Sequence, residues 1–149
     1  MFGLLLLSSL CPRPPMAGGE MGPTVEGIVL RVVDGSTLDA RVDGNRTVVG
    51  YVGAQAPSAG EACGAEALAR NRELAGEVVL LEEDPAYGLD DADRRLYYAY
   101  TTDGVLIDLV LVFEGLASAA RPDARFGEAL AYAEADARAA RRGCLWANS

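Results

Sequence analysis

The side chains of Ser36, Ser58 and Cys63 have the chemistry of nucleophiles, but the sequence supplies no histidine or lysine to activate them. A serine hydroxyl needs an adjacent base, and a thiol needs a cationic neighbour, before either reacts readily. The chain has no histidine, and all 13 of its basic residues are arginines. Histidine bases, imidazole metal sites and lysine Schiff bases are therefore excluded, as is a phosphate-binding glycine loop with a lysine.

The net charge disfavours a polyanionic ligand. The 149 residues carry a formal net charge of -9, whereas nucleic-acid binding depends largely on basic residues that neutralise phosphates. A nucleic-acid ligand would therefore require a locally basic groove. The length and the hydrophobic fraction of 50% predict a single domain with a substantial core and exclude a disordered chain.

The amino-terminal residues, 1–24, read as an appendage to a folded domain that we place at residues 25–149. An apolar run leads to Cys11 and is followed by a Pro/Gly-rich linker, and the run is too short to span a bilayer. The pattern is typical of a secretory or lipoprotein signal, with Cys11 as a possible lipid and membrane anchor. It predicts an extracellular or cell-envelope protein. The alternative is a misassigned start, with translation beginning at Met16 or Met21.

Hydrophobic patterning from Val25 onward predicts a β-rich domain. Asp43-Gly44 and Asp103-Gly104 lie between apolar runs and are hairpin signals. The five strands predicted for the barrel are Val25–Val33, Leu38–Val42, a third that includes Val48, Val78–Leu81 and Leu96–Thr101. A further short strand, Val105–Ile107, is predicted as the second arm of the hairpin at Asp103-Gly104. The predicted helices are Glu66–Ala75, Leu109–Glu114 and Asp123–Arg142, the last with a buried stripe of Phe126, Leu130, Ala133 and Ala137. We predict an α+β, mainly β fold: a five-stranded Greek-key OB barrel with three helices.

Several short segments occur together in the order and spacing of one known family. They are Val32–Leu38, Gly53–Ser58, Cys63–Ala67, Asp93-Arg94, Asp103-Gly104, Phe113–Ala117, Ala133–Ala135 and Leu145-Trp146. Together they resemble the staphylococcal nuclease (thermonuclease) family over nearly all of the chain from Val25 to Trp146. The resemblance implies the same OB barrel and an origin in calcium-dependent hydrolysis of phosphodiester bonds.

The family's calcium ligands lie in an Asp-Gly-Asp-Thr turn and an Asp-Ala-Pro-Glu segment. Here the turn retains Asp34 and Thr37, but Ser36 replaces its second aspartate. In the other segment, Gln55 and Ser58 replace the two acids. Because calcium affinity follows the number of charged ligands, we expect weak calcium binding or none.

The catalytic positions implied by the resemblance are also changed. Ser58 stands where the family has a glutamate as general base, and Gly50 stands where it has one of two phosphate-clamping arginines. Arg94 aligns with the other arginine. Loss of a general base typically lowers a rate by about 10² to 10⁴-fold, and loss of one charge-stabilising donor by about 10² to 10³-fold. We therefore predict an inactive or severely impaired domain that acts as a binding or structural module, with no cofactor.

The alternative is a divergent metal-dependent nuclease that cleaves DNA or RNA through a rearranged site. Such a site would use Asp34 and Arg94, with Glu61 as a relocated base, and it would need Ca²⁺. Nucleic acid remains a possible ligand by family but is disfavoured by the net charge. Otherwise the partner is an unidentified ligand or protein, and we expect a monomer.

Acidic residues surround the retained arginine. Glu82–Asp84 and Asp90–Asp93 predict a solvated acidic rim that repels phosphate. The alternative, a new calcium loop, lacks the ligand spacing of an EF-hand.

The remaining distinctive residues favour structural roles. Cys63 and Cys144 are predicted to form a disulfide in an oxidising compartment, or else to be buried free thiols. Strand alternation sends Tyr98 and Tyr100 to one face and Tyr97 to the other; we predict core packing, with base stacking as the alternative. Trp146 is predicted to anchor the last helix.

Overall fold

The computed structural model describes residues 21–148. Cys11, Met16 and most of the predicted leader lie outside the described residues. Within the described part of the chain, none of the helices is both long and apolar enough to cross a membrane.

A barrel of five strands forms the centre of the fold. Its strands are β1 (Val25–Asp34), β2 (Thr37–Val42), β3 (Asn45–Tyr51), β5 (Val78–Glu82) and β6 (Arg95–Tyr100). The barrel closes in the order β1-β2-β3-β6-β5, with a parallel β3–β6 pair among otherwise antiparallel neighbours. Two further short strands, β4 (Ala54–Gln55) and β7 (Ser118–Ala119), pair with each other. The predicted five-stranded OB barrel is confirmed.

The three predicted helices are present with shifted ends, and a short fourth helix that was not predicted follows them. They are α1 (Gly64–Ala75), α2 (Ile107–Phe113), α3 (Gly127–Ala139) and the short α4 (Gly143–Trp146). The predicted strand Val105–Ile107 is wrong, because Leu106 forms only an isolated bridge with Tyr100 and α2 begins at Ile107. Every residue of α2 is buried, so its continuous apolar run carries no periodicity that distinguishes helix from strand.

The core fills the barrel and the space beneath the helices. Its fully buried side chains include Leu38, Val49, Tyr51, Val79, Leu81, Ile107, Leu111 and Leu130. The predicted stripe of α3 is buried at all four positions, Phe126, Leu130, Ala133 and Ala137. Helix α3 packs against α2 and β7, so its buried stripe faces these two elements.

All three tyrosines of β6 are buried. The hydroxyl of Tyr98 donates to Asp84 at 3.2 Å, and that of Tyr100 donates to Glu82 at 3.4 Å. Core packing is therefore confirmed, and the base-stacking alternative is wrong. The expected solvation of Glu82 and Asp84 is also wrong, because both carboxylates are buried and accept these hydrogen bonds.

A disulfide joins Cys63 to Cys144, with a Cα–Cα distance of 5.5 Å. Cys63 is the residue before α1, and Cys144 lies in α4, so the bond ties the first helix to the last. The predicted disulfide is confirmed. The guanidinium of Arg138 lies 4.1 Å from the centre of the Trp146 ring. This contact fits the expected role of Trp146 as an anchor for the chain end.

Candidate functional site

The turn between β1 and β2 is held by its own polar groups. Asp34 Oδ1 accepts a hydrogen bond from the Ser36 backbone N–H at 2.8 Å and a longer one from the Ser36 hydroxyl at 3.4 Å. Ser36 is buried, and its Oγ accepts a hydrogen bond from the Ala56 N–H at 3.0 Å. A neutral hydroxyl therefore connects the turn to the segment that contains Gln55 and Ser58.

The buried side-chain amide of Asn71 supports the same turn from inside the fold. Asn71 Nδ2 donates to the Asp34 carbonyl at 2.9 Å, and Asn71 Oδ1 accepts from the Tyr51 hydroxyl at 2.7 Å. Asn71 has no exposed surface. Asn71 is not among the predicted site residues. Its place on the buried face of α1 beside Ala67 and Ala75 is a usable signal, because buried amides are normally hydrogen-bonded.

Close packing explains the glycine of the turn. A Cβ on Gly35 would lie 2.6 Å from the Cβ of Ala67 and 2.7 Å from that of Ala56. The turn, α1 and the start of the Ala56–Ser58 segment therefore meet where only a glycine fits. Packing and hydrogen bonds both fix the position of Asp34 and Ser36.

Arg94 is held by two side chains. Its Nε donates to Asp90 Oδ2 at 2.7 Å, its Nη1 donates to Thr37 Oγ1 at 2.8 Å, and its Nη2 lies 2.7 Å from the same Asp90 oxygen as an ion pair. The Arg94 and Asp90 side chains are only 16% and 12% exposed. Partial burial alone would raise the pKa of Asp90, but hydrogen bonds from the backbone and side chain of Arg94 outweigh burial and lower it.

The guanidinium of Arg94 also lies across Gly50. Gly50 pairs with Thr37 in the β2–β3 register, and a Cβ built on Gly50 would lie 3.0 Å from Arg94 Nε and 3.1 Å from its Cζ. The retained arginine thus covers the backbone position at which the second arginine of the predicted clamp is missing.

The remaining candidates lie at the end of β4 and in the exposed loop between β4 and α1. Gln55 and Ser58 are respectively at the end of β4 and three residues beyond it, and both are exposed, as is Glu61. The loop is turned by backbone hydrogen bonds from Glu61 N–H to the Ser58 carbonyl and from Gly64 N–H to the Glu61 carbonyl, both at 2.9 Å. Glu61 therefore belongs to the surface turn that leads into the disulfide.

Comparison with known families agrees with this geometry. Residues 39–148 match the family model described as staphylococcal nuclease homologue. The chain belongs to this family. The matched range begins inside β2 and includes Gly50, Gln55, Ser58 and Arg94, whereas the Asp34–Thr37 turn precedes it. A search of curated proteins found no match.

The staphylococcal nuclease family is calcium-dependent, but the residues around Asp34 do not fit a calcium site. Within residues 21–148, Cys63, Glu66 and Cys144 are the only three metal-binding side chains whose ligand atoms all lie within 4.8 Å of one another. Two of them form the disulfide and offer no thiolate. Asp34 is thus not joined by two further carboxylates, whereas calcium takes several oxygen ligands and binds through their charge.

The buried carboxylate of Asp108 holds the backbone just before the segment that contains Gln55 and Ser58. Asp108 in α2 accepts hydrogen bonds from the Gly53 N–H at 2.8 Å and the Ala99 N–H at 3.1 Å. Burial raises the pKa of Asp108 to about 7, although these N–H groups act in the opposite direction. Asp108 is not among the predicted site residues. The feature of the sequence that points to it is a single acid inside the apolar run Leu106–Phe113.

Together these contacts bring most of the predicted site into one region of this staphylococcal nuclease homologue. Asp34, Ser36 and Ala56 form one hydrogen-bonded group, and Thr37, Arg94 and Asp90 form another beside it. Asp90 was predicted to belong to a solvated acidic rim. Instead its side chain is largely buried and pairs with Arg94. The two groups meet at the start of β2, where Ser36 and Thr37 are consecutive.

Proposed function

We propose that this staphylococcal nuclease homologue has little or no nuclease activity and acts as a binding or structural module. The observation that carries the proposal is the position of Arg94, whose guanidinium is held by Asp90 and Thr37 over Gly50. An arginine that stabilises phosphoryl transfer must direct its N–H groups at the phosphate. Here Nε and Nη1 already donate to protein oxygens, and Nη2 forms an ion pair with Asp90.

The surroundings of Asp34 support the same proposal. Its carboxylate accepts from Ser36, and Ser36 in turn accepts from Ala56, so the turn and the neighbouring segment are joined without a cation. A metal-dependent nuclease relies on its cation for Lewis-acid stabilisation worth several kcal/mol. The single carboxylate at this turn does not supply the charge that calcium needs.

The residue at the general-base position of the family gives a third argument for low nuclease activity. Ser58 is exposed at the position where the resemblance places a glutamate, and a serine hydroxyl does not accept a proton at neutral pH without a base of its own. Glu61 is also exposed, in the turn that leads to α1. The effects on the cleavage rate of losing the general base and of losing one phosphate-binding arginine do not simply add. Either loss alone lowers the rate by about 10²-fold or more.

A cleavage assay tests the proposal directly. Full-length protein is incubated with fluorescently labelled single-stranded DNA and RNA, with calcium or with chelator. We expect the calcium-dependent cleavage rate to be indistinguishable from that of Arg94→Ala. The matched control is Arg95→Ala, because Arg95 is the adjacent arginine but pairs with exposed Glu83. Chelator-sensitive turnover that Arg94→Ala abolishes and Arg95→Ala preserves would show a divergent nuclease instead.

We further propose that the protein is exported and acts outside the cell or in the cell envelope. The disulfide between Cys63 and Cys144 supports this location, because disulfides persist mainly in oxidising compartments. The mass of the mature protein, isolated after expression with its native amino terminus, tests the proposal. We expect removal of the leader, with or without a lipid on Cys11; an intact leader and reduced cysteines would contradict it.

A further inference from the structure

The outer surface of β1–β3 combines arginines with exposed aliphatic side chains. Strand register places Ile28 opposite Arg41, and Arg41 opposite Arg46. In the next row, Arg31 lies opposite Asp39, which lies opposite Val48. We call this surface the arginine–aliphatic face, and it comprises Ile28, Leu30, Arg31, Arg41, Arg46 and Val48.

The arginines of this face outnumber the carboxylates that pair with them. Arg31 and Arg46 share the buried Asp39 Oδ2, at 3.4 Å and 2.9 Å, while their own side chains are mostly exposed. Arg41 forms no ion pair with any residue between 21 and 148. The face and Asp39 together carry three positive charges and one negative charge, and exposed Glu26, two residues before Ile28 on β1, adds a second negative charge. One positive charge remains in excess, on a chain whose net charge is -9.

The Arg41–Arg46 pair does not serve the stability of the sheet. Residues directly opposite on antiparallel strands have Cβ atoms about 4.5–5.5 Å apart, and like charges at such positions are destabilising. An anionic group from outside, bound between the two guanidinium groups, would turn this repulsion into charge-assisted hydrogen bonds. The pair is thus better suited to a bound partner than to the free barrel.

Aliphatic side chains adjoin the arginines. Ile28, Leu30 and Val48 are 49%, 45% and 40% exposed. They make up three of the seven large hydrophobic residues that are exposed between residues 21 and 148, so these side chains are concentrated on this face. A register shift between Val29 and Arg31 places Leu30 in a bulge. Clustered apolar side chains at a polar surface mark interaction sites more often than isolated ones do.

We propose that the arginine–aliphatic face binds an acidic segment of another protein, one that carries apolar side chains between its carboxylates. Arginines beside a small apolar centre are typical of protein interfaces. None of the six residues is aromatic, so the face lacks the rings on which single-stranded nucleic acids stack. The proposal names a partner class for the proposed binding role, but it stands on residues outside the Arg94 site, so either proposal can fail alone.

The negative net charge of the chain disfavours binding of large anions more than binding of a short acidic segment. A long nucleic acid or an anionic membrane meets the field of the whole chain, which is strongly negative. A short segment bound at the face is screened from distant carboxylates, since the Debye length is about 8 Å at physiological salt. Local complementarity then decides the binding.

A titration monitored by amide chemical shifts tests the proposal. The probe is a six-residue capped peptide of alternating glutamate and leucine, added to ¹⁵N-labelled full-length protein. We expect shift changes concentrated in β1–β3 and at least fivefold weaker binding to Arg41→Gln/Arg46→Gln and to Ile28→Ser. The matched control is Arg72→Gln, an exposed arginine in the last turn of α1, for which binding should be unchanged.

Competing ligands and stability complete the test. Absent shift changes, changes centred elsewhere, or equal binding of a lysine–leucine peptide would overturn the proposal, as would tighter binding of an oligothymidylate to the same face. The melting temperature of Arg41→Gln without peptide gives a separate readout. We expect it to equal or exceed that of the unmodified protein, because a like-charge pair is removed; a marked decrease would make Arg41 structural and overturn the proposal.

Discussion

The side chain of Arg94 lies over Gly50, with Nε 3.0 Å from the point that a Cβ on this glycine would occupy. Thr37, the β2 partner of Gly50, accepts a hydrogen bond from the same guanidinium. A side chain at position 50 would press on Arg94, which would have to shift. The guanidinium that pairs with Asp90 thus lies in the space that Gly50 leaves open.

We expect Gly50→Ala to destabilise the fold through this contact. The added methyl group would press on Arg94 and on Leu96 Cδ2, also 3.0 Å away, and overpacking of this kind costs about 1–3 kcal/mol. In an Arg94→Ala background the cost should shrink, which gives a coupling energy of about 0.5–3 kcal/mol. Urea unfolding of the two single variants and the double variant measures it; additive effects would show that Arg94 moves aside freely.

The Asp90–Arg94 pair predicts a contribution to acid stability. Because the pKa of Asp90 is lowered in the fold, its stabilisation is complete above the unfolded value of about 3.9 and is lost as the pH falls through the folded value. Asp90→Asn should reduce the free energy of unfolding at pH 7 by about 2 kcal/mol and should flatten its fall below about pH 4.

Urea titrations between pH 2.5 and 7 provide the measurement. Asp91→Asn is the matched control, since Asp91 is exposed in the same loop, and its pH profile should follow that of the unmodified protein. If Asp90→Asn and Asp91→Asn behave alike, the ion pair contributes nothing to the fold.

Local signals account for what the sequence predicted correctly, and long-range geometry accounts for the errors. Hairpin glycines and apolar periodicity were enough to place the barrel strands. The two-residue strands β4 and β7 are too short for any pattern, and they pair across 63 residues between Gln55 and Ser118. The acidic loop was misread because Asp93 adopts a φ of 57° and donates to the Asp90 carbonyl, which turns the Asp90 side chain back onto Arg94.

The raised pKa of Asp108 predicts that the free energy of unfolding falls with rising pH, the opposite of the Asp90 effect and at higher pH. Its pKa is raised to about 7 in the fold, so the native state holds a proton that the unfolded state has released above about pH 3.9. The free energy of unfolding should therefore fall as the pH rises from about 4 to 7 and then level off. Asp108→Asn should remove this slope, although one of the N–H groups of Gly53 and Ala99 loses its carboxylate acceptor.

Thermal unfolding at several pH values between 4 and 8 checks this prediction. Glu128→Gln is the control: this glutamate is exposed in the first turn of α3 and should leave the slope unchanged. An unmodified protein whose stability is flat or rising over this range would show that Asp108 ionises normally.

Loss of the disulfide should destabilise the domain. The bond closes a loop with a sequence separation of 81 residues, and chain-entropy models give about 4–5 kcal/mol for such a loop, with smaller values often measured. Cys63→Ser/Cys144→Ser should unfold at lower urea, and a reductant should lower the midpoint of the unmodified protein but not that of the variant. Equal midpoints with and without reductant would contradict this expectation.

Restoring two carboxylates at the turn should restore a response to calcium. In Ser36→Asp/Gln55→Asp, each new acid stands at a position where the family resemblance places a calcium ligand, and Ser36 is already hydrogen-bonded to both Asp34 and Ala56. Without a cation, the added charge at buried position 36 should lower the melting temperature, because like charges repel and a buried charge is poorly solvated. Calcium should reverse that loss, since a ligand that binds only the folded state stabilises it.

The measurement is the melting temperature in calcium and in chelator. We expect an increase with calcium for the double variant and none for the unmodified protein. Gln55→Asp/Ser58→Asp is the control, because it adds the same charge but leaves the hydroxyl of Ser36 in place between Asp34 and Ala56. If the unmodified protein itself responds to calcium, Asp34 and the neutral oxygens around it bind the cation, and the proposed loss of metal chemistry is wrong.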